Sequence, residues 1–151
     1  MSLIKLVNGQ PVEMTPEEEA AFETSRTPTL AQAKRTAREA IAARLAKAER
    51  NGFAFQAVRV ASDADMLSRI AILAERARRA AADGETITVR LVAEDDSALN
   101  LNRSEMLDLA KASGDHFIAC SANARTLRQA VAAATTLAEV RAIDIGVGWP
   151  E

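Results

Sequence analysis

The chain has 151 residues and a mass of 16.1 kDa, with 19 Lys and Arg against 21 Asp and Glu, one His, one Cys and one Trp. That length suits one domain with a small appendage, able to bury about 70% of the surface its unfolded chain exposes. A net charge of −2 excludes a broadly basic nucleic-acid binder, a single Cys excludes an internal disulfide, and no apolar run nears the roughly 18 residues of a membrane span.

The first predicted element is a β-hairpin. Leu3-Ile4-Lys5-Leu6-Val7 and Gln10-Pro11-Val12-Glu13-Met14 flank Asn8-Gly9, which suits a two-residue turn with positive φ angles. Pro11 lacks an amide donor and marks its strand as an edge. Thr15-Pro16-Glu17-Glu18 then reads as a capped helix start, with the helix ending near Thr24. Ser25-Arg26-Thr27-Pro28-Thr29 is the linker, dividing an appendage (1–27) from a mainly helical domain (28–151).

A long helix is expected from about Pro28 to Arg50, with Leu30, Ala33, Ala37, Ile41, Leu45 and Ala48 on one stripe and Asn51-Gly52 ending it. Phe53, Phe55, Val58 and Val60 predict a short extended core stretch with a phase shift at Gln56-Ala57. Ser62-Asp63-Ala64-Asp65 starts a third helix, running to about Ala82 with Met66, Ile70, Leu73 and Ala77 inward. Ile87, Val89 and Leu91, then Leu99 and Leu101, form a second hairpin around Glu94-Asp95-Asp96-Ser97. Asn102-Arg103-Ser104-Glu105 caps a helix reaching about Ala134, and Thr136 to Glu139 caps a short one. Ile143, Ile145, Val147 and Trp149 alternate at the end. The predicted class is α+β, mainly α: three long helices, two small antiparallel hairpins and short flanking helices.

No residue set assembles reactive machinery. His116 and Cys120 lie one helical turn apart, but zinc needs three or four protein ligands and no other His or Cys exists. As a nucleophilic pair they lack oxyanion donors and an orienting third group. Glu94-Asp95-Asp96 reads as a solvated turn, and Asp63-Ala64-Asp65 as helix-start chemistry. Arg76, Arg78 and Arg79 suit a helix C-terminus. Gly146-Val147-Gly148 lacks the Lys of a phosphate loop, and Asn102-Arg103-Ser104 is a cap before it is a glycosylation site. No catalytic residue, metal or cofactor is expected.

Aromatic residues are only 3% and alanine is abundant, so the core is thin and gains from a neighbouring chain; homo-oligomerisation is an expectation. Leu3, Leu6 and Val12 of the hairpin, with Val147 and Trp149 of the tail, are the candidate partner-binding residues. Trp149 has two destinations at this level: the domain's own core, or an interface.

The order of parts has a parallel. A basic Ala-rich helix leads into Asn51-Gly52-Phe53, an Asp-capped helix follows Ser62, and a hairpin feeds a long helix containing His116. The close runs from Ala133-Ala134-Thr135-Thr136-Leu137 through Ile143-Asp144-Ile145 to Gly148-Trp149-Pro150, and the opening is Val7-Asn8-Gly9-Gln10-Pro11-Val12-Glu13-Met14-Thr15-Pro16. On these segments the chain resembles a bacteriophage tail-fibre-associated family, a domain of unknown function. It departs from the family pattern at Thr88-Val89-Arg90, where a Trp is expected. The resemblance implies a non-enzymatic structural or adaptor protein of a phage tail, or else a tail-fibre assembly chaperone absent from mature particles. It further implies synthesis in the bacterial cytoplasm, residence in the virion tail, and other tail or fibre proteins as partners, with no nucleic acid and no membrane insertion.

Overall fold

The computed structural model describes residues 3–7, 9–93 and 97–150. Strands β1 (Ile4–Val7) and β2 (Gln10–Glu13) pair antiparallel, Ile4 opposite Glu13 and Leu6 opposite Pro11. Gly9 turns the chain at φ +81°; Asn8 lies outside the described residues. Helix α1 (Pro16–Arg26) starts at the expected capping box, with Thr15 and Glu18 bonded reciprocally. It ends two residues later than predicted, because Thr24 and Ser25 donate their hydroxyls to Ala20 and Phe22 carbonyls within the helix. Pro28 stops it by forcing Thr27 into the extended region.

Helix α2 (Leu30–Arg50) begins after Pro28, since Thr29 makes its own capping box with Gln32. It inserts Ala37, Ile41 and Ala48 into the core. Beyond it the sequence expectation needs correcting. The stretch after Gly52 is a hairpin, β3 (Phe53–Phe55) against β4 (Val58–Val60), so the described residues form three two-stranded sheets. Gln56 (φ 48°) and Ala57 (φ 63°) form its turn in the left-handed region that tight hairpins need.

Helix α3 (Ala64–Ala82) is capped by Asp63, which accepts from the Met66 amide at 2.8 Å. Strands β5 (Thr88–Val92) and β6 (Ala98–Asn102) follow, with Val89, Leu91, Leu99 and Leu101 inward. The predicted turn at Glu94, Asp95 and Asp96 lies outside the described residues. Helix α4 (Arg103–Ala133) spans 31 residues and is the central column, with α3 and α2 both packed on it. Its stripe of Met106, Leu109, Ser113, His116, Cys120, Ala124, Leu127 and Val131 follows helical spacing and is buried throughout. The architecture is α+β, mainly α.

Two hydrophobic clusters divide α4 between them. The first half packs with Phe53, Val60, Ile70, Leu91 and Leu101, and the second with Ile41, Ala48, Val140 and Trp149. Among the described residues, neither cluster contains one before Leu30. Helix α5 (Leu137–Ala142) is held by Glu139, whose carboxylate accepts from the Thr135 and Thr136 amides and the Thr135 hydroxyl. Those donors, Thr135 foremost, hold the carboxyl below the ordinary glutamate value. Its stabilising contribution is therefore complete above that ordinary value and fades as pH falls through the lower folded-state value. Urea midpoints taken from neutral to acid pH should fall less steeply for Glu139→Gln, which starts lower but has no charge to lose. An unchanged acid slope would show that the cap carries no charge dependence.

The tail from Ile143 to Pro150 is not a strand despite its alternation. Asp144 accepts from the Gly146 amide at 2.8 Å, and Gly148 turns at φ +79°. A Cβ at Gly148 would lie 2.7 Å from Asn123 Oδ1, while Asn123 Nδ2 donates to the Val147 carbonyl. This turn swings Trp149 back onto α2 and α4.

Candidate functional site

The N-terminal module is built by two polar clamps. Lys5 reaches Glu18 of α1 in an ion pair, and the Leu3 amide donates to Glu19 Oε1 at 2.7 Å. The Met14 amide also closes on the Leu3 carbonyl at 2.8 Å. Because strand side chains alternate, the clamp through Lys5 puts one face of the hairpin toward α1 and turns Ile4, Leu6, Pro11 and Glu13 to the other. That outward face is wet and apolar except at its Glu13 end: Ile4 is 63% and Leu6 75% exposed. Ordinarily such side chains are covered in a sheet of this size.

Of the sequence candidates, Leu6 lies on this outward face. Val12 sits opposite Lys5, on the α1 side, yet remains exposed, and Leu3 is half-buried beside the clamp. Val147 is exposed on the tail. Trp149 is only 9% exposed: its Nε1–H donates to the Ile145 carbonyl at 2.8 Å, and the Arg44 guanidinium lies 5.5 Å over its ring. Of its two destinations, the indole has taken the core. Val147 and Trp149 border a cleft of about 510 Å³ with Arg44, Asn51 and Arg59, and no described residue of the N-terminal hairpin lines it. The hairpin and tail candidates thus form two separate places.

Sequence reading missed Ile4, Ile72 of α3 and Ile118 of α4, the last two each 69% exposed. The available signal was position: both helix residues fall off their helices' apolar stripes.

His116 is a core residue. It lies between Phe53 and Phe117, at ring distances of 5.8 and 5.7 Å, and its Nε2 is 3.2 Å from the Ala48 carbonyl and 3.7 Å from Cys120 Sγ. Burial first, then Glu49, pushes the Cys120 thiol up, with Arg44 opposing. That environment disfavours the thiolate a nucleophile or metal ligand needs. Among the described residues no three His, Cys, Asp or Glu side chains converge as metal ligands. Arg78 and Arg79 of the basic cluster pair with Glu75 on their own helix, at 3.6 and 3.0 Å. The Arg79 hydrogen bond is the main cause of a lowered Glu75 carboxyl. Asn102 caps α4 in a reciprocal box with Glu105. No described helix is long and apolar enough to cross a membrane.

A second concavity, about 360 Å³, runs between α2 and the α5 tail and is bordered by Ala33, Ala40, Ile143 and Ile145. Its lining is mostly aliphatic, with Thr36 and Arg141 as its polar members.

No curated protein and no solved structure significantly matches the chain. The domain of unknown function DUF4376 matches residues 32–146, from early α2 through α5 to the tail's first turn, and leaves the N-terminal module outside. With well over half its length inside that match, the chain belongs to the DUF4376 family.

Proposed function

We propose that this protein is a structural or adaptor component of a bacteriophage or phage-like tail, at the fibre or baseplate, acting by contact with other tail proteins and not by turnover of a substrate. The resemblance in order of parts supports the tail assignment. The observation that carries the contact reading is the wet Ile4–Leu6–Pro11 face on a two-stranded sheet. Strand addition suits such a hairpin, and β1 is the better edge because Pro11 takes a donor from β2. Val147 offers a second contact point on the tail.

Leu6→Asp tests this directly. Leu6 is 75% exposed in the free chain, so folding should change by less than about 0.5 kcal/mol. A Leu newly covered by a partner contributes roughly 1.5–3 kcal/mol, so binding should weaken about tenfold to a hundredfold. Mass spectrometry of purified particles should find the native chain at fixed copy number and the Leu6→Asp chain depleted. Absence of the native chain from particles, with recovery on fibre protein from induced cells, would identify an assembly chaperone instead. Recovery with neither sinks the tail reading.

A further inference from the structure

We infer that α1 of one chain docks in the apolar groove between α2 and the α5 tail of a second copy, so that two chains exchange their N-terminal modules. The need for a partner begins in α1 itself. An 11-residue helix is marginal in water without tertiary support, yet α1 has no buried residue. Ala20, Ala21 and Phe22 stay exposed, with the Arg26 guanidinium 5.3 Å over the Phe22 ring. A well-capped helix that touches the hairpin through Glu18 and Glu19 but leaves Ala20, Ala21 and Phe22 in water has an apolar face to spare.

The groove fits that face in size and character. Small side chains at Ala33 and Ala40 open a channel of about 360 Å³ against Ile143 and Ile145, and no acidic side chain lines it. Charge points the same way. Helix α1 carries Glu17, Glu18, Glu19 and Glu23 against Arg26, whereas α2 carries six Lys and Arg against Glu39 and Glu49. Arg141 lines the groove itself, within reach of an acidic helix laid along it. Acidic helix on basic helix steers the encounter and fixes its direction.

Connectivity favours a second copy over the chain's own module. Thr27 and Thr29 are both extended around Pro28, and no described residue before Pro28 lines the groove. Pro28 itself borders the groove, so a module leaving one chain starts at the edge of the site that receives its counterpart. Two such exchanges related by a twofold axis close on themselves, giving a dimer and not a filament. The outward Ile4–Leu6–Pro11 face lies opposite the α1 clamp and stays open to a tail protein, so this dimer stands independently of the tail assignment.

Light scattering of the full-length chain should give twice 16.1 kDa. Phe22→Glu and Ala40→Glu, both at exposed positions, should each return it to 16.1 kDa with an unchanged circular dichroism spectrum. Chains carrying Phe22→Cys mixed with chains carrying Ala40→Cys should give a mixed disulfide dimer on a non-reducing gel; Cys120 is buried and does not compete. A native chain that stays at 16.1 kDa across a dilution series overturns the proposal. So does a dimer that survives both Glu substitutions. A chain bearing both cysteines that closes its disulfide internally at monomer mass would show α1 filling its own groove, and likewise ends the exchange.

Discussion

Trp149→Ala should destabilise the protein by roughly 3–5 kcal/mol, the range for emptying a buried Trp site. The indole shares its cluster with Ile41, Cys120, Ala124, Val131 and Val140, most of them small. Small neighbours on rigid helices cannot collapse into the space an indole leaves, so the cavity term stays near its maximum. Two further contacts disappear with the ring: the Nε1–H bond to the Ile145 carbonyl and the Arg44 stacking. Without them the turn at Gly146 to Gly148 still has the Asn123 bond to the Val147 carbonyl, and Ile145 loses the indole it packs beside. Trp149→Phe keeps most of the bulk and the stacking face, and should lose only about 1–2 kcal/mol. Urea unfolding followed by far-ultraviolet circular dichroism reads both, since Trp149 is the sole fluorescent indole. At roughly 2–4 °C per kcal/mol, the alanine variant should melt on the order of 10 °C lower. A loss below about 1 kcal/mol, the ordinary size of a point substitution, would place the indole outside the core.

Helices were legible in the sequence because their signals are local. The boxes Thr15/Glu18, Asn102/Glu105 and Thr136/Glu139 each satisfy orphan amides within one turn, and all three start helices as expected. The start of α2 misled because Pro suits the first helical position, while Thr29 and Gln32 offered a better cap one residue later. The hairpin at Phe53–Val60 stayed hidden because its turn is Gln56-Ala57, two residues with no intrinsic liking for positive φ. Packing holds it there: Phe53 and Val60 sit opposite each other inside the first cluster, which overrides the turn's own preference. The hairpin's exposed face was not legible either. Leu3, Ile4, Leu6 and Val7 put apolar side chains on both sides of β1, so alternation alone cannot choose one. The long-range pairing of Lys5 with Glu18 chooses it. For Trp149 the choice between core and interface is made by Gly148 and Asn123, residues 25 positions apart that no local pattern connects.

Gly52→Ala should cost roughly 2–5 kcal/mol, from two separable causes. Gly52 has φ +78°, where an L side chain adds about 1–2 kcal/mol. The second cause is contact. A Cβ at this position would lie 2.5 Å from the Val60 carbonyl oxygen and 3.3 Å from its carbon. The obstructing atoms are backbone, and they belong to the strand that carries fully buried Val60, so relief requires moving β4 within a packed core. Overpacking of that kind adds about 1–3 kcal/mol. The loop cannot swing away, because the Gly52 amide donates to Ser62 Oγ at 3.0 Å and the Ser62 hydroxyl donates to the Glu49 carbonyl at the end of α2. Gly84→Ala separates the causes: Gly84 has a similar φ of +72°, and nothing lies within 4 Å of a Cβ there. It should lose only the conformational part, about 1–2 kcal/mol. The difference between the two variants in urea midpoint at equal m-value measures the approach of Gly52 to β4. Equal losses at the two glycines would mean that α2 and the hairpin are not locked at this crossing, and that the junction of the two hydrophobic clusters is held elsewhere along α4.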